Sequence, residues 1–274
     1  MELLQNVLRW MDHQMETPQL FGWFHILSLA LIVLVTVALC FRHKKDSPDR
    51  VRAVVLGTAI LVTLAEIYKQ INYSFSYTDG ITFDYQWYAF PFQFCSTPMY
   101  VGLLAGFLPK GKLQNALYSY LATFAVFAGL CVMIYPGDVF VGTLGINIQT
   151  VICHGSMICV GVYLFYTGTV KLEHRSIVGA MVVFACTVSI AVLFNEIAHW
   201  TGLLERETFN MFFVSRHCEP SLPVYSLVQA IVPYPWCLLI YIAGFTLASY
   251  LILLIAMGVR KLSLIHLREE KIKI

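Results

Sequence analysis

Apolar residues gather into seven runs, at about 20–41, 53–73, 88–108, 113–135, 148–170, 177–199 and 230–259, divided by short stretches rich in charged and turn-forming residues. A run of about 20 apolar residues, rising 1.5 Å per residue, covers a hydrocarbon core of roughly 30 Å. Seven transmembrane helices are therefore predicted. Ahead of them, Leu3, Leu4, Val7, Leu8 and Met11 alternate with Gln5, Asn6, Arg9 and Asp12 at helical spacing. This predicts an interfacial amphipathic helix over 1–16; its acidic residues and lack of a long apolar core argue against a cleaved leader. The expected fold class is an all-α polytopic membrane helix bundle. It divides into an amphipathic helix at 1–18, the seven-helix domain at 19–260 and a basic cytoplasmic tail at 261–274.

Composition agrees: 58% of residues are hydrophobic and 12% charged, with mean hydropathy +0.71, against about a quarter charged in soluble domains. The net charge is only +2 and no basic patch is interleaved with aromatics. Nucleic acid is not expected as a partner. Of the 18 lysines and arginines, 14 fall after runs one, three, five and seven, in RHKKDSPDRVR, PKGK, KLEHR and RKLSLIHLREEKIKI. The positive-inside rule then places the N-terminus outside and the C-terminus in the cytoplasm. The eight cysteines have neither zinc-site nor redox spacing, so no disulfide framework, metal or other cofactor is expected. The long segment after run six is expected to be a lid or a partly re-entrant element. No internal repeat of the kind that marks inverted-repeat transporters is visible.

Polar and ionisable residues inside the runs carry the functional signal, because each costs several kcal/mol in lipid unless paired or hydrated. They are His25, Glu66, Lys69, Gln93, Cys95, Ser96, Thr97, His154, Asn195, Glu196 and His199. Since alternate helices run in opposite directions, all fall in the outer third of the bilayer, the innermost at depths of roughly 9–10 Å. Glu66 and Lys69, three apart, neutralise one another in the plainest reading. Glu196 and His199 make one ExxH, short of the two such motifs of di-metal bundles.

His154, in IQTVICHGSMIC, recurs with Asn147 and Thr150 at helical spacing. A neutral histidine there would serve as general base toward a Cys, Ser or Thr on a neighbouring helix, and FPFQFCSTPMY supplies all three. On a continuous helix kinked at Pro98, Gln93, Thr97 and Tyr100 share a face, while Cys95 lies about 200° from Gln93. Cys95, Ser96 and Thr97 all stay open as the nucleophile.

FPFQFC at the head of run three and YPGDVFVGTLGINIQTVICHGSM leading into run five carry a resemblance. With the amphipathic start and the seven runs, the chain resembles the bacterial YwaF-type integral membrane proteins, which group with the animal transmembrane-protein-164 acyltransferases. The bacterial motif resembles LPLHLC; here Pro91 and Cys95 are kept and Gln93 stands at the histidine. The animal motif resembles Asn-Pro-Cys-His, and its acyl-carrying cysteine aligns with Phe92. His154 matches the histidine of the fifth span. The resemblance implies acyl transfer to or from a phospholipid, in the bacterial cytoplasmic membrane.

Two functions follow. The first is a lipid acyltransferase or acyl hydrolase in which His154 is the base and Cys95 or Thr97 the acyl acceptor. His25, Glu66, Lys69, Gln93, Asn147, Asn195 and His199 would line the substrate pocket, and membrane phospholipid would be the partner. The second is a non-catalytic lipid or small-anion binding or transport protein using the same pocket. A retinal protein is excluded because run seven has no lysine for a Schiff base.

Overall fold

The computed structural model describes residues 2–42, 47–76, 81–203, 208–219 and 222–272. Of the orienting charges, Lys44, Lys45, Arg206 and Lys273 lie outside the described residues, as do the side chains of Arg42, Arg268 and Lys271. The helices are α1 (Glu2–Met11), α2 (Trp23–Arg42), α3 (Pro48–Asn72), α4 (Thr97–Phe107), α5 (Lys112–Tyr120), α6 (Val126–Ile134), α7 (Leu144–Tyr166), α8 (Ser176–Trp200), α9 (Pro223–Ile231) and α10 (Trp236–Ile272). A π-helical turn, Leu121–Ala125, joins α5 to α6 in one passage. β1 (Phe75–Ser76) and β2 (Thr82–Phe83) form a small antiparallel ribbon beyond α3.

Six passages among the described residues are long and apolar enough to cross a membrane. Aliphatic side chains such as Val33, Leu64, Val178 and Leu251 face outward, while Tyr120, Phe124, Tyr163 and Phe184 fill the centre. Bulky apolar groups on both faces mark helices that meet lipid on one side and protein on the other. The π-helical turn sits at this centre, packed against α7. There Gly161 lets the helices close up, for a Cβ would stand 2.0 Å from Val126 Cγ2 and 2.9 Å from the Leu121 carbonyl.

The third predicted helix is corrected. Only α4 is helical, about 16 Å long at 1.5 Å per residue. The preceding residues form a 3-10 turn, Trp87–Ala89, and irregular chain up to Ser96. Pro98 does not kink a continuous helix: it lies in the first turn of α4, where its missing N–H is no loss. Pro91 cannot donate to a helical ladder either, and the chain straightens around it. α4 runs antiparallel beside the first half of α3, with Gly102 against Ala59, Gly106 against Leu56, and Arg52 donating to the Leu108 carbonyl. Half of this passage is thus helix and half is irregular chain.

Residues 2–15 are docked on the bundle. Gln14 bridges Thr143, Met15 N–H donates to the Gly142 carbonyl at 2.7 Å, and Leu144 N–H to the His13 carbonyl at 2.9 Å. The Met11 carbonyl accepts from Tyr68 Oη at 2.5 Å, so the N-terminus shares a face with the end of α3 and the start of α7. Residues 208–219 pack against the bundle, burying Phe209, Met211 and Phe212. Exposed Trp10, Trp23, Trp200 and Trp236 stand on helices at that same end. Arg52, Lys110, Lys112, Lys171 and Arg175 lie at the other.

Candidate functional site

Irregular backbone within a lipid-facing bundle persists only where its polar groups find partners inside the protein. Five carbonyls of the broken third passage take side-chain donors. Gln93 Nε2 donates to Tyr88 O at 2.7 Å, Gln70 Nε2 to Ala89 O at 2.8 Å and Tyr100 Oη to Pro91 O at 2.8 Å. Thr97 Oγ1 donates to Phe94 O at 2.8 Å, and Cys153 Sγ to Cys95 O at 3.4 Å. The break is therefore built, and Cys95 is held on it between α3 and α7.

Beside it lies a buried polar cluster with Glu66 at its hub. Glu66 Oε1 accepts from Lys69 Nζ at 2.8 Å and from Gln70 Nε2 at 2.9 Å, and Oε2 from Gln149 Nε2 at 3.3 Å. Tyr85 Oη donates to Gln70 Oε1 at 2.6 Å. Burial first, and then the negative charge of Glu66, push the Tyr85 phenol up to about 12, so it remains a donor at any physiological pH. One carboxylate thus organises residues from α3, α7 and the irregular chain.

Cys95 and Cys153 both line a cleft of about 380 Å³, counting the space at its mouth, whose other walls are chiefly apolar side chains of α3, α4 and α7. Cys95 Sγ is 3.8 Å from Gln93 Oε1, which accepts from it. Because Cys95 precedes α4, the 200° separation expected on a continuous helix does not apply. Gln93 and Cys95 are neighbours.

His154 is buried. Its Nδ1 lies 2.8 Å from the Thr150 carbonyl, which can only accept, so Nδ1 carries the proton. Nε2 then presents a lone pair, and it is buried without a hydrogen-bond partner among the described residues. Ser96 Oγ is likewise buried and unpartnered there. Gln229 Oε1 and Ser249 Oγ complete the set among the described residues. Buried polar atoms are so regularly satisfied that such exceptions call for a function or a ligand. His154 and Ser96 are the two that adjoin in sequence the thiols of the cleft, Cys153 and Cys95.

The remaining predicted residues are engaged elsewhere. Thr97 Oγ1 also lies 2.8 Å from Tyr120 Oη. His25 accepts from Phe21 N–H at Nδ1 (3.0 Å) and donates from Nε2 to the Met133 carbonyl (2.8 Å), which ties α2 to α6. Asn147 holds both backbone groups of Val141, at 2.9 and 2.7 Å. Asn195 does the same for Met211, at 2.8 and 3.0 Å. Exposed His199 stacks on His217 at 3.6 Å, while Glu196 takes Arg216 in a two-point pair at 2.9 Å. Among the described residues no three His, Cys, Asp or Glu side chains converge to hold a metal ion.

Gln70, Gln149 and Cys153 were not picked out from the sequence. Their spacing carried the signal: Gln70 stands four residues after Glu66, and Cys153 four after Gln149. Each pair forms a stripe on a helix that meets the other.

A family model described as the TMEM164 family matches residues 20–255. The chain belongs to the TMEM164 family. No curated protein and no solved structure matches it. The family match takes in α2 to α9 and the first half of α10, and with them the broken passage and both thiols. In this TMEM164-family chain, α1 and the backbone bridge at Gln14 precede the matched range. The docked N-terminal segment thus lies outside the matched range.

Proposed function

We propose that this protein transfers or hydrolyses phospholipid acyl groups, with Cys95 as acyl acceptor and His154 as general base. The observation that carries the reading is His154 itself: a buried imidazole whose Nδ1–H is fixed by the Thr150 carbonyl and whose Nε2 is bare. That is the tautomer a base needs, with a carbonyl in the orienting role that a carboxylate fills elsewhere.

In the proposed sequence, an ester carbonyl enters between Cys95 and His154. Nε2 takes the thiol proton, Sγ bonds to the carbonyl carbon, and the carbon–oxygen ester bond breaks. The departing lysophospholipid oxygen recovers the proton from the imidazolium. A lysolipid hydroxyl or water then attacks the thioester, its proton passing through Nε2 to the thiol that leaves. Gln93, whose Oε1 is 3.8 Å from Cys95 Sγ, and Lys69 carry N–H donors of the kind that suit the oxyanion formed in both steps. Thr97 is already shared between Phe94 O and Tyr120 Oη, which favours Cys95 over it.

Purified protein in lipid nanodiscs containing a doubly labelled phosphatidylcholine and a lysophospholipid acceptor tests the reading. Labelled acyl chain should move to the acceptor or to water. His154→Ala and Cys95→Ala should each lower that rate by about 10²-fold or more. Equal turnover in wild type and Cys95→Ala would contradict the assignment.

A further inference from the structure

The cleft beneath the two thiols has a length. Cys95 and Cys153 stand at its polar end, and Val55, Gly102 and Val160 line it toward the basic face. From Cys153 to Val160 is seven residues of one helix, about 10 Å. The intervening wall is chiefly aliphatic and sulfur-bearing, with Ala59 and Met157 facing the same space and Thr58 and Ser156 its two hydroxyl residues. No charged residue lines it. The lysine–carboxylate pair of Lys69 and Glu66 does not line it.

We infer that this cleft is a slot for a single straight acyl chain, and that Val160, with Val55 and Gly102, sets the chain length it accepts. The inference rests on the acyl-transfer reading for the chemistry of the occupant. A charged headgroup is unsuited to apolar walls, since burying it without partners costs several kcal/mol. A chain entering from the thiol end leaves its ester at Cys95 and its methyl end between Val55, Gly102 and Val160. An ester so placed is where the thiol can reach it.

Removing the two Val160 methyls extends the slot. Each added buried methylene is worth roughly a fourfold change in binding, so Val160→Ala should move the preferred chain up by about one or two methylenes. Val160→Leu should move it down. The experiment uses full-length protein in nanodiscs and a ladder of fatty acids from hexanoic to hexadecanoic, each with a diazirine at its methyl end. Photolabelled peptides are then mapped by mass spectrometry. Labelling should peak at one chain length and fall on the Val55, Gly102 and Val160 peptides. It should persist in Cys95→Ala, and the peak should shift in opposite directions in the two Val160 variants.

Label confined to lipid-facing residues such as Val33 and Leu251, or a peak that ignores both substitutions, would overturn the slot. The two proposals fail separately. Slot labelling without any acyl transfer leaves the slot standing and removes the catalytic reading. Acyl transfer without slot labelling does the reverse.

Discussion

Asn147 and Asn195 sit on different helices and do the same work, each side chain pairing with both the N–H and the C=O of one loop residue. Each imitates a strand partner for a backbone that has none. A buried backbone group left unsatisfied costs about 1–3 kcal/mol, so Asn195→Ala should lower the unfolding temperature markedly. Asn195→Asp should do nearly as much harm, since a carboxylate accepts from Met211 N–H but faces the Met211 carbonyl without a proton. Tryptophan-monitored unfolding in detergent measures both. The Glu66–Lys69 pair permits a sharper comparison. Lys69→Met strands a buried carboxylate and should cost roughly 3–5 kcal/mol, whereas Glu66→Met with Lys69→Met should regain most of that loss. A double variant no more stable than Lys69→Met alone would show that Glu66 serves its glutamine partners more than the lysine.

At this scale the sequence told depth but not direction. His25, Asn147, Asn195 and His199 lie toward the same end of the bundle as Glu66 and Cys95, as the run boundaries implied. They point into different junctions: His25 toward Met133, Asn195 toward Met211, His199 toward His217. Depth follows from counting residues from a span end. Direction around a helix depends on which neighbour it packs against, and a single apolar run does not encode that.

Among the elements, the third passage departs furthest from its hydrophobic pattern. FPFQFCSTP falls within a run long enough to span, yet two prolines and five side-chain donors to the carbonyls of the passage keep its first half irregular. Hydropathy reports burial in lipid or protein alike, so it marked the passage and missed the break. The docked N-terminal segment is a second such case. Its amphipathic pattern fits an interfacial helix equally well, and the difference lies in Gly145, where a Cβ would fall 1.8 Å from Tyr68 Oη. Gly145→Val should push Tyr68 off the Met11 carbonyl and loosen residues 12–15. Hydrogen exchange at the Met15 and Leu144 amides should then quicken while the α7 interior stays protected. Unchanged exchange would mean that the strand-like bridge to Thr143 holds without the tyrosine.

Across the whole molecule, the exposed tryptophans and most of the basic residues segregate to opposite ends. Trp10, Trp23, Trp200 and Trp236 are exposed at the end bearing the N-terminus, and belts of this kind sit at the headgroup level. Lipids brominated near the headgroup should quench this fluorescence more strongly than lipids brominated at the chain end. The opposite order would place the belt within the core. The seven-run count and the segregation of charge were legible because both are properties of composition along the chain. The built cleft was not, because it arises where residues about 60 positions apart, such as Cys95 and Cys153, meet.

The claim on which the functional account turns is that Cys95 carries an acyl group. Protein purified with native lipid, trapped in acid and digested, should yield a peptide bearing Cys95 as a hydroxylamine-sensitive acyl thioester. The adduct should accumulate when no lysolipid acceptor is supplied and be lost in His154→Ala. A thioester found on Cys153 with Cys95 free, or no thioester on either thiol while acyl transfer proceeds, would contradict it.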